Sequence, residues 1–340
     1  MATGSAPITQ RDVASSLGVS ISAVSLALSG RPGVSDQLRE RILERAEELG
    51  YRPNASAVAL RTNRTRVLGL LIRNLRNPHF LDVIDGFDET CAAAGYDVMV
   101  GSSRYDPDRE GQLLDAFQHR AIDGLAIAPI GVSPQVREWS SVTSRPLVLL
   151  DTAGGPTMSV RTDQETAVDL AVRHLLELGH RRLAMIVAPA DKSPDPERLE
   201  RFRQLSVDLG FTALTVTTEL SARAARSAIA EALAVPAPER PTAFIANSDY
   251  IAHIAYLAVA DAGLRVPQDI SVVGHDDLPT SASLYPALTT IAVDRREIGH
   301  RAASLLLDAL HERPIATRNI VLPVTLHARA STAPPPRVDG

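Results

Sequence analysis

The side chains best placed to do chemistry are polar residues standing where apolar runs stop. Asp151 ends the run Leu147–Asp151, and Asn247, Ser248 and Asp249 follow Ala243–Ala246. Past Val272–Gly274 come His275, Asp276 and Asp277. Carboxylates and amides at such points hold hydroxyl groups through directed hydrogen bonds, which is the chemistry of binding a polyol or a sugar ring. Each acid also has a plainer reading as a helix N-cap or a loop turn. Asp249 and Asp277 suit either reading. Bond-making chemistry lacks its usual signatures: there is no GxxxxGKS/T, no HExxH, no GxSxG, and no GxGxxG after the first strand of the body. The nine histidines show no metal-ligand spacing, and Cys91 has no second cysteine to join. No enzyme, cofactor or metal is expected.

A second chemistry sits near the start of the chain. Ile21 to Leu28 reads as a short helix with Val24 and Leu28 turned inward and Ser20, Ile21, Ser22, Ala23 and Leu26 turned outward. An outward face of small residues can enter a DNA major groove. A three-helix interaction module without nucleic acid is the competing reading.

The elements that must carry these residues fall into two patterns. In the first, Thr9 with Asp12 forms a near capping box for a helix bearing Val13, Ala14 and Leu17. Gly18 permits a sharp turn before the second helix, and Gly30-Arg31-Pro32-Gly33 is a loop. Ser35 caps a third helix with the stripe Leu38, Ile42, Ala46 and Leu49, stopped by Gly50. After a basic, polar stretch to Arg66 the second pattern begins. Strands are expected at Val67–Ile72, Asp97–Gly101, Gly124–Ala128, Leu147–Asp151, Leu183–Val187, Thr212–Val216, Ala243–Ala246 and Ile270–Gly274, with helices between most of them. Such alternation predicts parallel sheets covered by helices, and the run is long enough for two of them. Ligands of these folds lie beyond the carboxyl ends of the strands.

Bulk properties agree. The 340 residues suit two or three domains. The net charge of −5 conceals a head, Met1 to Arg66, with nine arginines against six acids, so only the head is suited to a polyanion. One cysteine excludes an intrachain disulfide and fits a reducing compartment. No apolar run has membrane-spanning length, and Met1 to Gln10 has no secretory pattern, so a cytoplasmic protein without membrane contact is expected.

Specific stretches sharpen this. DVASSLGVSISAVSLALSG (Asp12–Gly30), VSDQLRERILERAEELGY (Val34–Tyr51) and RPNASAVALRT (Arg52–Thr62) resemble the DNA-binding head of the LacI/GalR family. NPHFLDVIDGFDETCAAAGYDVMV (Asn77–Val100), ADAGLRVPQDISVVGHDD (Ala260–Asp277) and IGHRAASLLL (Ile298–Leu307) resemble its effector-binding core, a fold shared with periplasmic sugar-binding proteins. The resemblance runs through nearly the whole chain. It implies an α/β protein with an all-α helix-turn-helix head and hinge helix, followed by two doubly wound parallel-sheet subdomains. The implied divisions are 1–52 for the head, 53–66 for hinge helix and linker, 67–164 plus 292–322 for one subdomain, and 165–291 plus 323–340 for the other.

Function follows from the resemblance. It implies a homodimeric, sequence-specific regulator, a repressor by preference, on a near-palindromic double-stranded DNA operator. A small effector, a sugar or related metabolite bound between the subdomains, would control its affinity. The implied DNA contacts are Thr9, Ser20, Ile21, Ser22, Ala23, Ser25, Leu26, Arg31, Asn54, Ala57, Leu60 and Arg61, with Leu60 matching a leucine that wedges into the minor groove. The implied effector contacts are Phe80, Asp151, Arg198, Asn247, Ser248, Asp249, His275 and Asp276. A small-molecule binding protein without effector-controlled DNA binding is the alternative.

The chain departs from the family at informative places. Leu26 stands where many relatives have arginine, and the positions Ile21, Ser22 and Ala23 offer no bidentate base reader. That places more of the recognition on phosphates, hinge and operator shape. Arg73 stands where relatives often have proline, Arg201 and Ile254 replace frequent glycines, and His275 replaces a frequent Phe or Tyr.

Overall fold

The computed structural model describes residues 8–51, 64–131, 133–189, 196–219 and 221–336. The chain divides into two compact units, Met1–Thr65 and Arg66–Gly340.

In the first unit three helices form, α1 (Gln10–Leu17), α2 (Ile21–Leu28) and α3 (Asp36–Glu48). Each begins at a side-chain cap, expected at Thr9 and Ser35 but not at Ser20, which the sequence marks only as an outward-facing residue. Thr9 and Asp12 exchange hydrogen bonds in a full capping box, Ser20 Oγ accepts the Ala23 amide at 3.1 Å, and Ser35 Oγ accepts the Leu38 amide at 3.3 Å. Gly18 closes α1 in the left-handed region (φ 68°), which turns the chain into α2. Val13, Ala14, Val24, Ala27, Ile42 and Ala46 make the small core, with Leu28 at its edge.

One sequence expectation fails here. Leu26 does not project freely but is half-buried over the 30–33 loop, where a Cβ at Gly33 would lie 2.9 Å from its Cδ1. The loop folds back because Arg39 of α3 gathers the carbonyls at the end of α2, donating to Leu26 O, Ala27 O and Arg31 O at 3.3, 3.0 and 2.6 Å. Leu26 O and Ala27 O also accept the Arg31 and Gly30 amides just past the helix, at 3.1 and 3.2 Å, and a cation suits that end of the helix dipole. Hydrogen bonds to a charged group contribute about 1.5–3 kcal/mol. Arg39→Met is therefore expected to speed amide exchange across α2 by about 10- to 100-fold in the full chain, as read by hydrogen-exchange mass spectrometry. Unchanged exchange would remove Arg39 from the account of α2.

The second unit contains two six-stranded sheets. One runs β11-β5-β4-β3-β1-β2, with β1 Val67–Ile72, β2 Asp97–Ser102, β3 Gly124–Ile127, β4 Leu147–Leu150, β5 Met158–Thr162 and β11 Asn319–Leu322. All its pairings are parallel. The other runs β12-β10-β9-β8-β6-β7, with β6 Arg182–Val187, β7 Thr212–Thr217, β8 Ala243–Ala246, β9 Ser271–Asp276, β10 Thr289–Ala292 and β12 Thr325–His327. Only its β10–β12 pair is antiparallel. Both sheets share one winding, in which the order reverses beside the first strand, and such a reversal opens a crevice at the carboxyl ends.

All eight expected strands form. The sequence reading missed β5, β10, β11 and β12, which are three to five residues long and rich in threonine or interrupted by polar residues. It also stopped β9 at Gly274, whereas the strand continues through His275 and Asp276 and buries both. Among the described residues, no helix is long and apolar enough to cross a membrane.

Helices α4 (His79–Ala93) and α12 (Arg295–Leu310) cross on the first sheet. The crossing is so close that a Cβ on Gly86 would meet Arg296 O at 2.2 Å, and one on Gly299 would meet Val83 O at 2.1 Å. The chain passes between the sheets after β5, after β10 and after β11, since each of these is followed by an element belonging to the other layer.

Candidate functional site

The carboxyl ends of both sheets face one small cleft. Arg73 follows β1, Asp151 follows β4, and Thr162 and Gln164 lie where β5 ends. From the other sheet come Asn247 and Ser248 after β8, His275 and Asp276 at the end of β9, and Val293 after β10. Arg198 reaches in from the helix Pro196–Leu209, while His79 and Phe80 open α4. The free space is about 40 Å³, enough for a few water molecules and less than a sugar ring.

Seven of the eight expected effector contacts line this cleft. Asp249 does not. Its carboxylate lies behind the wall, accepting the Leu278 amide at 2.8 Å, Ser281 Oγ at 2.6 Å and Thr290 Oγ1 at 2.5 Å. It clamps the start of helix Asp249–Asp261 to the loop after β9 and to β10. Burial, reinforced by Asp276, pushes its pKa up to about 7. Ser248 caps the same helix through Ile251 N. Phe80 lines the cleft but sits 2% exposed in the core, its ring edge-on to His79 at 5.0 Å. It is a floor for the site and offers no open stacking face.

The polar groups form a connected array. Arg73 donates from Nε to Pro129 O at 3.0 Å and from Nη1 to Asp151 Oδ2 at 3.2 Å. Arg198 donates to Gln164 Oε1, to Asn247 O at 2.8 Å and to His275 Nε2 at 2.9 Å. A guanidinium can only donate, so His275 Nε2 accepts and its proton sits on Nδ1. Burial, then Arg198 and His79, hold His275 well below its ordinary pKa. His79 Nδ1 donates to Asp276 Oδ1 at 2.8 Å, tying α4 to the opposite sheet.

Two buried atoms of this array have no partner: Arg73 Nη2 and Asp276 Oδ2. Both belong to residues no more than 5% exposed. Leaving such groups unpaired costs about 1–3 kcal/mol each, more when charged. The backbone is strained at the same place, with Asp151 at φ 52°, Asp276 at 116° and Asp277 at 53°. Strain of this kind collects at ligand clamps.

Sequence reasoning passed over His79, Gln164 and Thr162, and named Arg73 only as a departure. The signal for His79 was present in the NPHF stretch, one residue from Phe80. Its partner Asp276 lies 197 residues away, beyond any local pattern.

Burial opposes charging of His79, but Asp276 and Asp151 outweigh it and raise its pKa. A histidine that holds its proton more tightly when folded stabilises fully below its unfolded pKa. That contribution is lost as pH rises through the higher folded value. From about pH 6 upward, the melting temperature of the wild type should therefore fall more steeply than that of His79→Gln. Parallel pH profiles would mean that the His79–Asp276 contact adds nothing. The titration of Asp249 is common to both proteins and cancels in the difference.

In the head, Ile21 (45% exposed), Ser22 and Arg31 are exposed, and Ala23 and Ser25 are half-buried. Thr9 and Ser20 spend their side-chain oxygens on caps. Asn54, Ala57, Leu60 and Arg61 lie outside the described residues.

A helix-turn-helix unit and a two-sheet body with a polar, incompletely satisfied cleft define a DNA-binding regulator with a small-molecule site. The comparisons agree. Residues 9–54 match the model for bacterial regulatory proteins of the lacI family, and residues 172–332 match the periplasmic binding protein-like domain. The chain is 32% identical to the HTH-type transcriptional repressor PurR of Aliivibrio fischeri over 320 residues, covering 90% of this chain and 94% of the relative. It is 30% identical to the ribose operon repressor of Escherichia coli over 329 residues, covering 95% and 99%. The protein belongs to the lacI family of bacterial regulatory proteins. Its fold superposes on the lac repressor dimer bound to operator and the anti-inducer ONPF with a TM-score of 0.84, at 26% identity, covering 96% and 100% of the two chains. It also matches a LacI family regulator from Enterococcus faecium with bound ribose, at a TM-score of 0.70 and 27% identity over 79% of this chain and 99% of the other.

Proposed function

We propose that this protein is a homodimeric transcriptional repressor whose operator affinity is set by a small polyhydroxylated effector in the cleft. The observation that carries the cleft assignment is the pair of unpartnered buried atoms, Arg73 Nη2 and Asp276 Oδ2, on two residues that line one small space. One is a donor and the other an acceptor, and a hydroxyl group can serve both. Relatives that repress operons, and neighbours whose structures hold operator DNA or ribose, support the reading.

The cleft is too small for a sugar in this closed state, so entry requires the sheets to part. A bound effector would then replace His79–Asp276 as the tie between them. A change in sheet separation alters the spacing of the two heads of a dimer, and with it their fit to two half-sites. Asp151, Arg198, Asn247, His275 and Asp276 are the proposed effector contacts, and Ile21, Ser22 and Arg31 are proposed DNA contacts. Catalysis has no place in this reading.

Selection of sites from a random duplex pool by the full chain tests it. One enriched near-palindrome is expected. A pool that stays unenriched at low salt would favour the alternative of a binding protein without DNA control.

A further inference from the structure

One cation of the cleft meets no carboxylate, and a neutral sugar does not correct that. The lining holds Arg73 and Arg198, with His79, against Asp151 and Asp276. Arg73 and His79 pair with those two acids. Arg198 contacts only neutral groups, Gln164, Asn247 O and His275, and no carboxylate of the described residues lies within ion-pair range of it. The nearby Arg295 is already matched by Asp82. Glu110 gives its carboxylate to the Ile130 amide, and burial pushes its pKa upward. A buried cation without a counter-charge is costly, and a bound anion relieves it.

The orphan atoms say what else the ligand carries. Arg73 Nη2 lacks an acceptor, and Asp276 Oδ2 lacks a donor. A simple inorganic anion satisfies the first and is repelled by the second. A neutral polyol can satisfy both but leaves Arg198 without a counter-charge. A phosphate brings two charges and more acceptor oxygens than this lining has free donors.

We infer that the effector is a sugar acid, a polyhydroxylated monocarboxylate of the aldonate or uronate class, with its carboxylate on Arg73 and Arg198 and a hydroxyl donating to Asp276. This rests on the cleft being the effector site. It also gives a partner to the free nitrogen of Arg73.

Isothermal titration of the full chain tests it, with gluconate, galactonate and glucuronate set against glucose, galactose, ribose and glucose 6-phosphate. At least one acid should bind 30-fold or more tighter than its neutral counterpart. Arg73→Met should erase that preference, lowering acid affinity by 30-fold or more relative to any loss for the neutral sugars, and Arg73→Lys should retain most of it. The lysine variant also controls for a folding defect. A neutral sugar or the phosphate binding more tightly than every acid overturns the inference and leaves the effector cleft standing. An acid preference untouched in Arg73→Met overturns the assignment to Arg73. If no member of the panel binds, both the inference and the cleft reading fall.

Discussion

Replacing Arg198 with leucine is expected to weaken effector binding by at least 100-fold and to leave operator binding intact. The Arg198 guanidinium touches Gln164, Asn247 and His275 together, so it fixes the geometry where the end of β5 meets the wall contributed by the second sheet. It also separates the polar cleft from an apolar void of about 30 Å³ lined by Ala167, Ala171, Met185 and Ile291. A leucine can occupy that apolar side. Because the partners of Arg198 among the described residues are neutral, its removal strips a desolvated charge without stranding an opposite one. It does take the donor from Gln164 Oε1, Asn247 O and His275 Nε2, at about 1–3 kcal/mol for each that water does not reach. The variant should stay folded, with a melting temperature several degrees below wild type. Removing one partner of a true buried ion pair costs about 3–5 kcal/mol instead. Calorimetric binding, a thermal melt and an operator titration on the same preparation separate the outcomes. A large drop in melting temperature would show that Arg198 is structural. Unchanged effector affinity would remove it from the site.

The second large effect lies at the helix crossing. Gly299→Ala is expected to destabilise the body by about 3 kcal/mol or more, at or beyond the upper end of ordinary overpacking. The added methyl would stand 2.1 Å from Val83 O and 2.6 Å from Phe87 N, both backbone atoms of α4. Backbone cannot rotate aside as a side chain can, so the two helices must separate. For a unit of this size that loss corresponds to a fall of about 6–12 °C in melting temperature. The consequence should reach the cleft, because α4 begins with His79 and α12 begins with Arg295, which bonds the carbonyls of Asp276 and Asp277. A melting temperature within 2 °C of wild type would mean that the crossing is looser than described.

The head was largely legible in the sequence because its determinants are local. Thr9 with Asp12, and Ser35, each cap a helix within three residues, and a cap needs no knowledge of the rest of the fold; the Ser20 cap is equally local but escaped the sequence reading. Arg39 was not legible, since its carbonyl partners belong to another helix. The cleft was legible as positions, because strand ends in parallel sheets converge wherever the strands are recognised. Which strand-end acid points inward was not. Asp249 and Asp276 look alike in sequence, yet Asp249 is claimed by Ser281 and Thr290, 32 and 41 residues further on. The tie across the cleft, His79 to Asp276, and the Arg73–Asp151 pair within the first sheet span 197 and 78 residues and come from topology.

Operator affinity measured by fluorescence anisotropy, with and without the tightest-binding ligand of the sugar panel at saturation and at fixed salt, tests the central claim most directly. The account predicts a shift of fivefold or more, matched by an equal and reciprocal shift in ligand affinity when operator is present, and no shift in Arg198→Leu. Identical operator affinity at full occupancy of the cleft would contradict it, and would leave a DNA-binding head joined to a ligand site that does not control it.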